Sequence, residues 1–316
     1  MNLKDKKVCV LYGGWSFERE VSLVSGLEVY KSLKDAGYSV FLVDVKKDIY
    51  NFIDEITANK PDVIFNALHG AGGEDGVIQG VLTMLDIPYT HSGVFSSAVA
   101  MDKISTRYML QPLGIPFAQF RVFKFHEFQD NVKQYFGYPF VAKPPCEGSS
   151  IGVSIIKNDE ELDIYVKNWK FGETVLAEEY CKGREIQVAV MEDKILGSVE
   201  IESFKEFYDY EAKYTPGFTK HTVNPTLSHR DMNKLYEYAL KSHQGLKCNG
   251  ITRIDFICEI KDAPQDRNMI LLEVNTQPGM TPLSLVPEIA ADMGMSYLSV
   301  IETYLTLAFK RSSTGE

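Results

Sequence analysis

The chain has 316 residues, 45% of them hydrophobic, enough to bury a sizeable core and to divide into two or three domains. Its net charge of -10 and isoelectric point near 5.2 exclude a global attraction to nucleic acid or anionic lipid, so any phosphate site must be built locally. The five cysteines are odd in number and lack paired C-x-x-C spacing, which argues against a disulfide framework or thiolate zinc site and fits a reducing cytoplasm.

The first residues are basic, but the apolar run KVCVLY meets Gly13-Gly14 too soon to be the core of a signal peptide. No run of about 18 apolar residues occurs elsewhere, so no membrane span is expected. KVCVLY, an amphipathic segment from about Glu18 to Ala36 and the run YSVFLVDV read as strand, glycine turn, helix and strand, a parallel βαβ unit. PDVIFNAL is a further strand, ending at His69 before the turn-rich HGAGGEDG. Gly13-Gly14 and His69 therefore sit at C-terminal strand ends, where open α/β sheets gather ligands. Ser16, Arg19 and Glu20 mark a helix start. Capping does not explain a glycine pair and an acid together at a strand end, a place suited to a substrate ammonium.

IPYTHSG breaks the chain near residue 90, a helix from about Val94 to Gln111 follows, and a first domain boundary falls near 100. PFVAKP, IGVSII, TVLAEEY, REIQVAVM and ILGSVEI then come in close succession, which predicts an antiparallel sheet and an α+β domain. The last third holds a helix from about Arg230 to Leu246, the strands ITRIDFICEI and NMILLEVN, and a closing helix near Met293 to Phe309.

Strand alternation puts Arg253 and Asp255 on one face of ITRIDFICEI, and Glu273 and Asn275 on one face of ILLEVN. If these strands pair, one surface carries an arginine, two carboxylates and an amide. Such hard oxygens suit magnesium with substrate phosphates, and an ordinary solvated ion pair is the alternative. Lys103 and Lys143 are placed to neutralise phosphates as point charges, although either alone reads equally as a surface lysine. KPPCEGSSIGV sets Lys143 ahead of its glycines, the reverse of a P-loop, and EGSSIG reads as a hairpin turn or as a loop folding over polyphosphate. LAEEYCKGRE bends around Lys182-Gly183 with Glu178 and Glu185 on either side. FYDYEAKYTPG concentrates tyrosines, lysine and acids in a way that suits a small zwitterion or a packed aromatic strand.

In sequence order, GGWSFEREVS, HGAGGEDGVIQG, IPYTHSG, MDK, KPPCEGSSIGV, GREIQVAV, FYDYEAKY, RIDF and EVNTQPGMTPLSLVP resemble the D-alanine:D-alanine ligases of the ATP-grasp superfamily. The resemblance covers nearly the whole chain. It implies an α/β fold with an α+β part: an N-terminal Rossmann-like parallel-sheet domain (residues 1-100), a central ATP-grasp lid domain (101-185) and a C-terminal ATP-grasp catalytic domain (186-316). It implies ATP-dependent joining of two D-alanines through an acylphosphate, for peptidoglycan precursors, in a cytoplasmic homodimer. Lys103, Lys143, Glu178, Glu179, Tyr180, Cys181, Glu185, Phe207, Ile257 and Leu272 would bind ATP. Asp255, Glu273 and Asn275 would hold two magnesium ions, with manganese as a substitute. Glu18, Ser149 and Tyr214 would form a triad at the first D-alanine, which His69 orients. Arg253 and the Gly279 N–H would stabilise the oxyanion, and Lys213 and Ser284 would take the second carboxylate. Related alternatives are a D-alanine:D-lactate or D-alanine:D-serine ligase, or another ATP-grasp carboxylate-amine ligase. The intact Lys213 and Tyr214 favour the dipeptide product.

Three positions depart from the family pattern: His91 where glycine is usual, Thr83 where glutamate is frequent, and Arg107 where lysine is common. All three are expected outside the substrate-contacting residues, with packing or surface effects. Cys146, in the lid loop, is a candidate reactive thiol with no supporting feature.

Overall fold

The computed structural model describes residues 2–203, 219–259 and 269–314. Strands β1 (Lys7–Gly13), β2 (Ser39–Val45) and β3 (Val63–Asn66) form a parallel sheet in the order β2-β1-β3. Val8, Cys9, Val10 and Leu11 are all buried, because helices cover both faces of a parallel sheet. Helix α1 (Arg19–Asp35) approaches β1 so closely at Gly26 that a Cβ there would lie 2.3 Å from the Tyr12 Cβ. Helices α2 (Ile49–Asn59) and α3 (Val77–Met84) complete this part.

The helix expected from Val94 to Gln111 is two helices, α4 (Val94–Met101) and α5 (Lys103–Leu110). Asp102 separates them with extended backbone, and its carboxylate accepts the N–H groups of Ile104 and Ser105. An N-cap aspartate inside the apolar period therefore ends one helix and starts the next, and it sets Lys103 at the first turn.

Strands β4 (Phe120–Lys124), β5 (Phe140–Lys143), β6 (Ser154–Ile156) and β7 (Thr174–Glu179) form an antiparallel sheet in the order β4-β7-β5-β6. Helices α6 (Phe125–Asn131) and α7 (Asp159–Lys167) pack on it around Phe128, Phe140, Leu162 and Tyr165, a hydrophobic core of its own. Strands β8 (Gly183–Met191), β9 (Lys194–Ser203), β10 (Thr219–Val223), β11 (Ile251–Glu259) and β12 (Met269–Asn275) make a second antiparallel sheet, β10-β9-β8-β11-β12. Helix α8 (His229–Gly245) covers one face through Leu235 and Ala239. Helices α9 (Leu285–Asp292) and α10 (Tyr297–Thr314) lie between the other face and the parallel sheet. There Val10, Phe65, Val199, Ile289 and Tyr304 belong to one core.

Two departures from the family pattern acquire physical reasons here. His91 has φ +69, a left-handed conformation that glycine adopts freely, which accounts for glycine being usual there. In this chain its ring fills space between Phe65 and Tyr304, at centroid distances of 5.7 and 4.4 Å. The Thr83 hydroxyl donates to the Gln79 carbonyl and contacts the Tyr89 hydroxyl, a packing role as expected.

Candidate active site

Two cavities meet where the three sheets converge. The larger, about 470 Å³, lies between the antiparallel sheets and around the bend from β7 to β8. Of the residues expected at ATP, Lys103, Lys143, Glu178, Glu179, Tyr180, Cys181, Glu185, Ile257 and Leu272 all line it. Phe207 lies outside the described residues.

Lys143 ends β5, and its ammonium sits 2.7 Å from the Glu178 carboxylate on the neighbouring strand. The other Glu178 oxygen accepts from Arg107. Arg107 is 1% exposed, stacks over Phe117 and Phe120, and also donates to the Lys103 carbonyl at 2.7 Å. Arg107 lines neither cavity and is packed in the interior, where it shares the Glu178 carboxylate with Lys143, a residue that does line the larger one. Burial, then the charges of Arg107 and Lys103, hold the Lys143 ammonium well below the ordinary lysine range. The Glu178 carboxylate, one of the groups expected at ATP, is engaged by these two cations in this structure.

Lys103 donates to the Glu147 carbonyl at 2.6 Å and lies 3.6 Å from Glu273. Its backbone N–H meets the Pro145 carbonyl at 3.0 Å, so α5 is tied to the base of the EGSSIG loop. In that loop Ser149 and Ser150 have φ +47 and +59, and Gly152 has φ +72. Left-handed backbone at two serines costs about 1–2 kcal/mol per residue and persists only where contacts hold it. One such contact is the Ser149 hydroxyl, which donates to the Glu18 carboxylate.

The smaller cavity, about 80 Å³, lies beneath this loop. Glu18, His69, Ser149, Arg253, Asn275 and Gly279 line it, and it shares Lys103, Glu147 and Glu273 with the larger one. Glu18 is set by the interlocked loops after β1 and β3. The Ser16 hydroxyl donates to the His69 carbonyl at 2.6 Å, and Trp15 covers Gly72. Arg19 holds the turn open by binding Asp44 at 2.8 and 2.9 Å and the Gly14 carbonyl at 2.9 Å. The His69 ring lies 3.3 Å from the Ser25 hydroxyl, and burial with the Arg253 charge lowers its pKa to about 4, so it is neutral at neutral pH.

β11 and β12 pair with Arg253 opposite Asn275 and Asp255 opposite Glu273, which produces the polar surface expected from alternation. A bulge follows: Phe256 pairs with Leu271, so Leu272 has no direct partner. The extra residue places Leu272 and Glu273, neighbours in sequence, both on the cavity side. Arg253 binds Asp255 through two bonds of 2.8 Å and lies 3.9 Å from Glu273. Asp255, Glu273 and Asn275 present hard oxygens from adjacent strands between the two cavities, a donor set suited to magnesium. Gly279 and Ser284 are close, since a Cβ on Gly279 would lie 2.8 Å from the Ser284 Oγ, which accepts the Thr281 N–H at 2.9 Å. Lys213 and Tyr214 lie outside the described residues. Cys146 is exposed, but partial burial of its thiol and the nearby Asp102 push it up to about 11, which keeps it protonated at neutral pH.

Several residues here carried no readable sequence signal. Glu74 lines the smaller cavity, and Arg184 reaches the larger one while binding Glu200 through two bonds of 2.6 Å. Gln277 receives the Asn66 amide at 2.9 Å and donates to the Leu68 carbonyl, joining the end of β3 to the segment after β12. Gln277 and Glu74 belong to motifs quoted above, but only the fold shows which of their atoms are buried.

A nucleotide-sized cleft between two antiparallel sheets, with buried lysines on one wall and carboxylates on the other, defines an ATP-grasp enzyme. Residues 109–306 match the family model described as D-ala D-ala ligase C-terminus, and residues 49–92 match D-ala D-ala ligase N-terminus. A D-alanine--D-alanine ligase from Chelativorans sp. (strain BNC1) is 45% identical over 93% of this chain and 95% of its own. One from Gluconobacter oxydans is 44% identical over 96% of this chain and 100% of its own. The solved D-alanine--D-alanine ligase from Bacillus anthracis superposes with a TM-score of 0.85 at 30% identity, covering 98% of this chain and 100% of that one. The same enzyme complexed with ATP gives 0.82 at 30% identity, covering 98% and 99%. The chain belongs to the D-alanine–D-alanine ligase family.

Proposed function

We propose that this protein joins two D-alanines into D-alanyl-D-alanine, converting ATP to ADP and phosphate, as a step toward peptidoglycan precursors. The observation that carries the reading is the shared wall of the two cavities. Lys103, Glu147 and Glu273 face both, so the terminal phosphate of a nucleotide in the larger one adjoins an amino acid in the smaller. The names of the relatives and of the ATP-complexed neighbour support it.

The carboxylate of the first D-alanine attacks the γ-phosphorus and ADP leaves, giving an acylphosphate. Lys103 and Lys143 offset the charge of the transferring phosphoryl group, where catalysis is mostly positioning and electrostatics. Glu18 binds the first ammonium and His69, neutral, orients that substrate. The amine of the second D-alanine, once deprotonated, attacks the acyl carbon. Arg253, held by Asp255, and the Gly279 N–H stabilise the resulting oxyanion. The C–O bond to phosphate then breaks as the amide forms. Asp255, Glu273 and Asn275 would hold two magnesium ions, or manganese, which supply further positive charge at the phosphates when bound. Ser149, latched on Glu18, couples loop closure to occupation of the first site. Ser284 and Lys213 receive the second carboxylate, and Tyr214 completes the Glu18–Ser149 triad.

A domain division near residues 100 and 185 is supported by the sheets: the parallel one ends at Asn66, the four-stranded one spans Phe120–Glu179, and the five-stranded one starts at Gly183, two residues ahead of the second limit. No helix among the described residues is long and apolar enough to cross a membrane, and all five cysteines are free, which supports a cytoplasmic protein. A homodimer follows from the family resemblance.

The test is incubation with ATP, magnesium and D-alanine, with ADP and product mass measured together. The expected product is D-alanyl-D-alanine in equal amount to ADP. Its absence, or equal phosphate release without amino acid, refutes the reading. Competition by D-lactate or D-serine separates the alternatives, of which a solved D-Ala:D-Ser ligase from Enterococcus faecalis, with a TM-score of 0.77, shares the fold.

A further inference from the structure

Glu74 lines the smaller cavity, and the reaction above gives its carboxylate no task. Its Oε1 accepts the Gly70 N–H at 2.9 Å, while Oε2 makes no hydrogen bond to the described residues and the side chain lines the cavity. Glu18 lies against the same glycine: a Cβ on Gly70 would lie 3.0 Å from the Glu18 Oε2. Two carboxylates thus converge on one glycine, whose φ of +68 turns its N–H to Glu74 and leaves its Cα face to Glu18.

Glu18 alone is an incomplete receptor for an ammonium. Its Oε1 already accepts from Ser149, and an ammonium brings three donors. The neighbouring His69 ring lies beside Ser25. We propose that Glu74 is the second carboxylate of the ammonium cradle, holding the first D-alanine together with Glu18. The inference rests on the assignment of Glu18 to that ammonium. Burial and the facing Glu18 charge raise the Glu74 carboxyl above the usual range, the electrostatic state expected of paired acids that lack their cation. Arg253 lines the same cavity and can pair with the substrate carboxylate, so the cavity selects an α-amino acid. A carboxylic acid without the amine leaves two converging carboxylates unpaired, a strong basis for rejection.

Glu74→Gln separates binding from architecture, because the amide oxygen still accepts the Gly70 N–H while the charge is lost. The KM for the first D-alanine is expected to rise about 10- to 100-fold, the range of one charge-assisted hydrogen bond, with the ATP KM within about twofold. An unchanged D-alanine KM overturns the proposal, and so does an equal rise in both constants, which marks a structural role. Glu18→Gln is measured beside it. Loss there with Glu74→Gln silent overturns the second carboxylate alone, whereas two silent variants overturn the underlying ammonium assignment. If Glu74→Gln does not fold, Glu74→Asp takes its place. A first-site KM raised by less than about tenfold at unchanged ATP KM then supports the charge, and loss of both overturns it.

Discussion

Glu178→Gln tests whether the carboxylate between Arg107 and Lys143 serves the apo protein or the nucleotide base. The structure gives it two cationic partners, and Glu178 and Arg107 are 3% and 1% exposed. An amide keeps the shape but leaves two buried cations without a counter-charge. Breaking a buried ion pair in this way costs roughly 3–5 kcal/mol. At about 2–4 °C per kcal/mol for a cooperative unit of roughly 200 residues, the apo melting temperature should fall by roughly 6–20 °C. ATP should restore part of that loss, because its phosphates bring new negative charge to Lys143. The ATP-induced rise in melting temperature is therefore expected to be larger in the variant than in the wild type. Calorimetry of both proteins with and without ATP reads this directly. If Glu178 instead served only the adenine or ribose, the variant would melt like the wild type without ATP and gain less from adding it. That result refutes the ion-triad argument.

Gly148→Ala addresses the loop latch, because a Cβ there would lie 2.6 Å from the Glu18 Oε2. Turnover is expected to fall at least about tenfold as closure is blocked, and steady-state kinetics at wild-type rates would show that the latch is not needed. Acid stability follows from three buried histidines: burial lowers His69 and His243 to about 4 and His91 to about 3. Folded values below the unfolded value of about 6.5 mean that their contribution is complete above that pH and is lost as pH falls toward the folded values. Urea melts should lose about 4 kcal/mol per pH unit between roughly pH 6 and 4 from these groups, and His91→Gly should cut that slope by about a third. A slope unchanged by the substitution would show that His91 does not titrate on unfolding.

What the sequence disclosed and what it hid divide along a physical line. Alternation in RIDF and LLEVN disclosed the polar face, since a two-residue period survives any packing, and the register of β11 with β12 agrees with it. The same reasoning could not foresee that Leu272 and Glu273 share a side, because a bulge is a property of the pair and not of either strand. Asp102 carried a local signal that the apolar period masked, and the resulting helix break sets Lys103 at the first turn of α5, where it lines both cavities. Arg107 had no local signal at all. An arginine in an amphipathic helix reads as solvated, and only the arrival of Phe117, Phe120 and Glu178 from elsewhere makes burial tolerable. The buried charges near the cavities that escaped prediction are therefore those balanced across elements. Arg107 finds its counter-charge on β7, and Glu74 faces Glu18 from another loop. On the proposed reading, a ligand charge would complete the balance in both cases, phosphate at Lys143 and ammonium between the two acids. Stability measured with and without ligand is then the natural readout, because the groups proposed to bind the substrate leave the empty protein electrostatically unfinished.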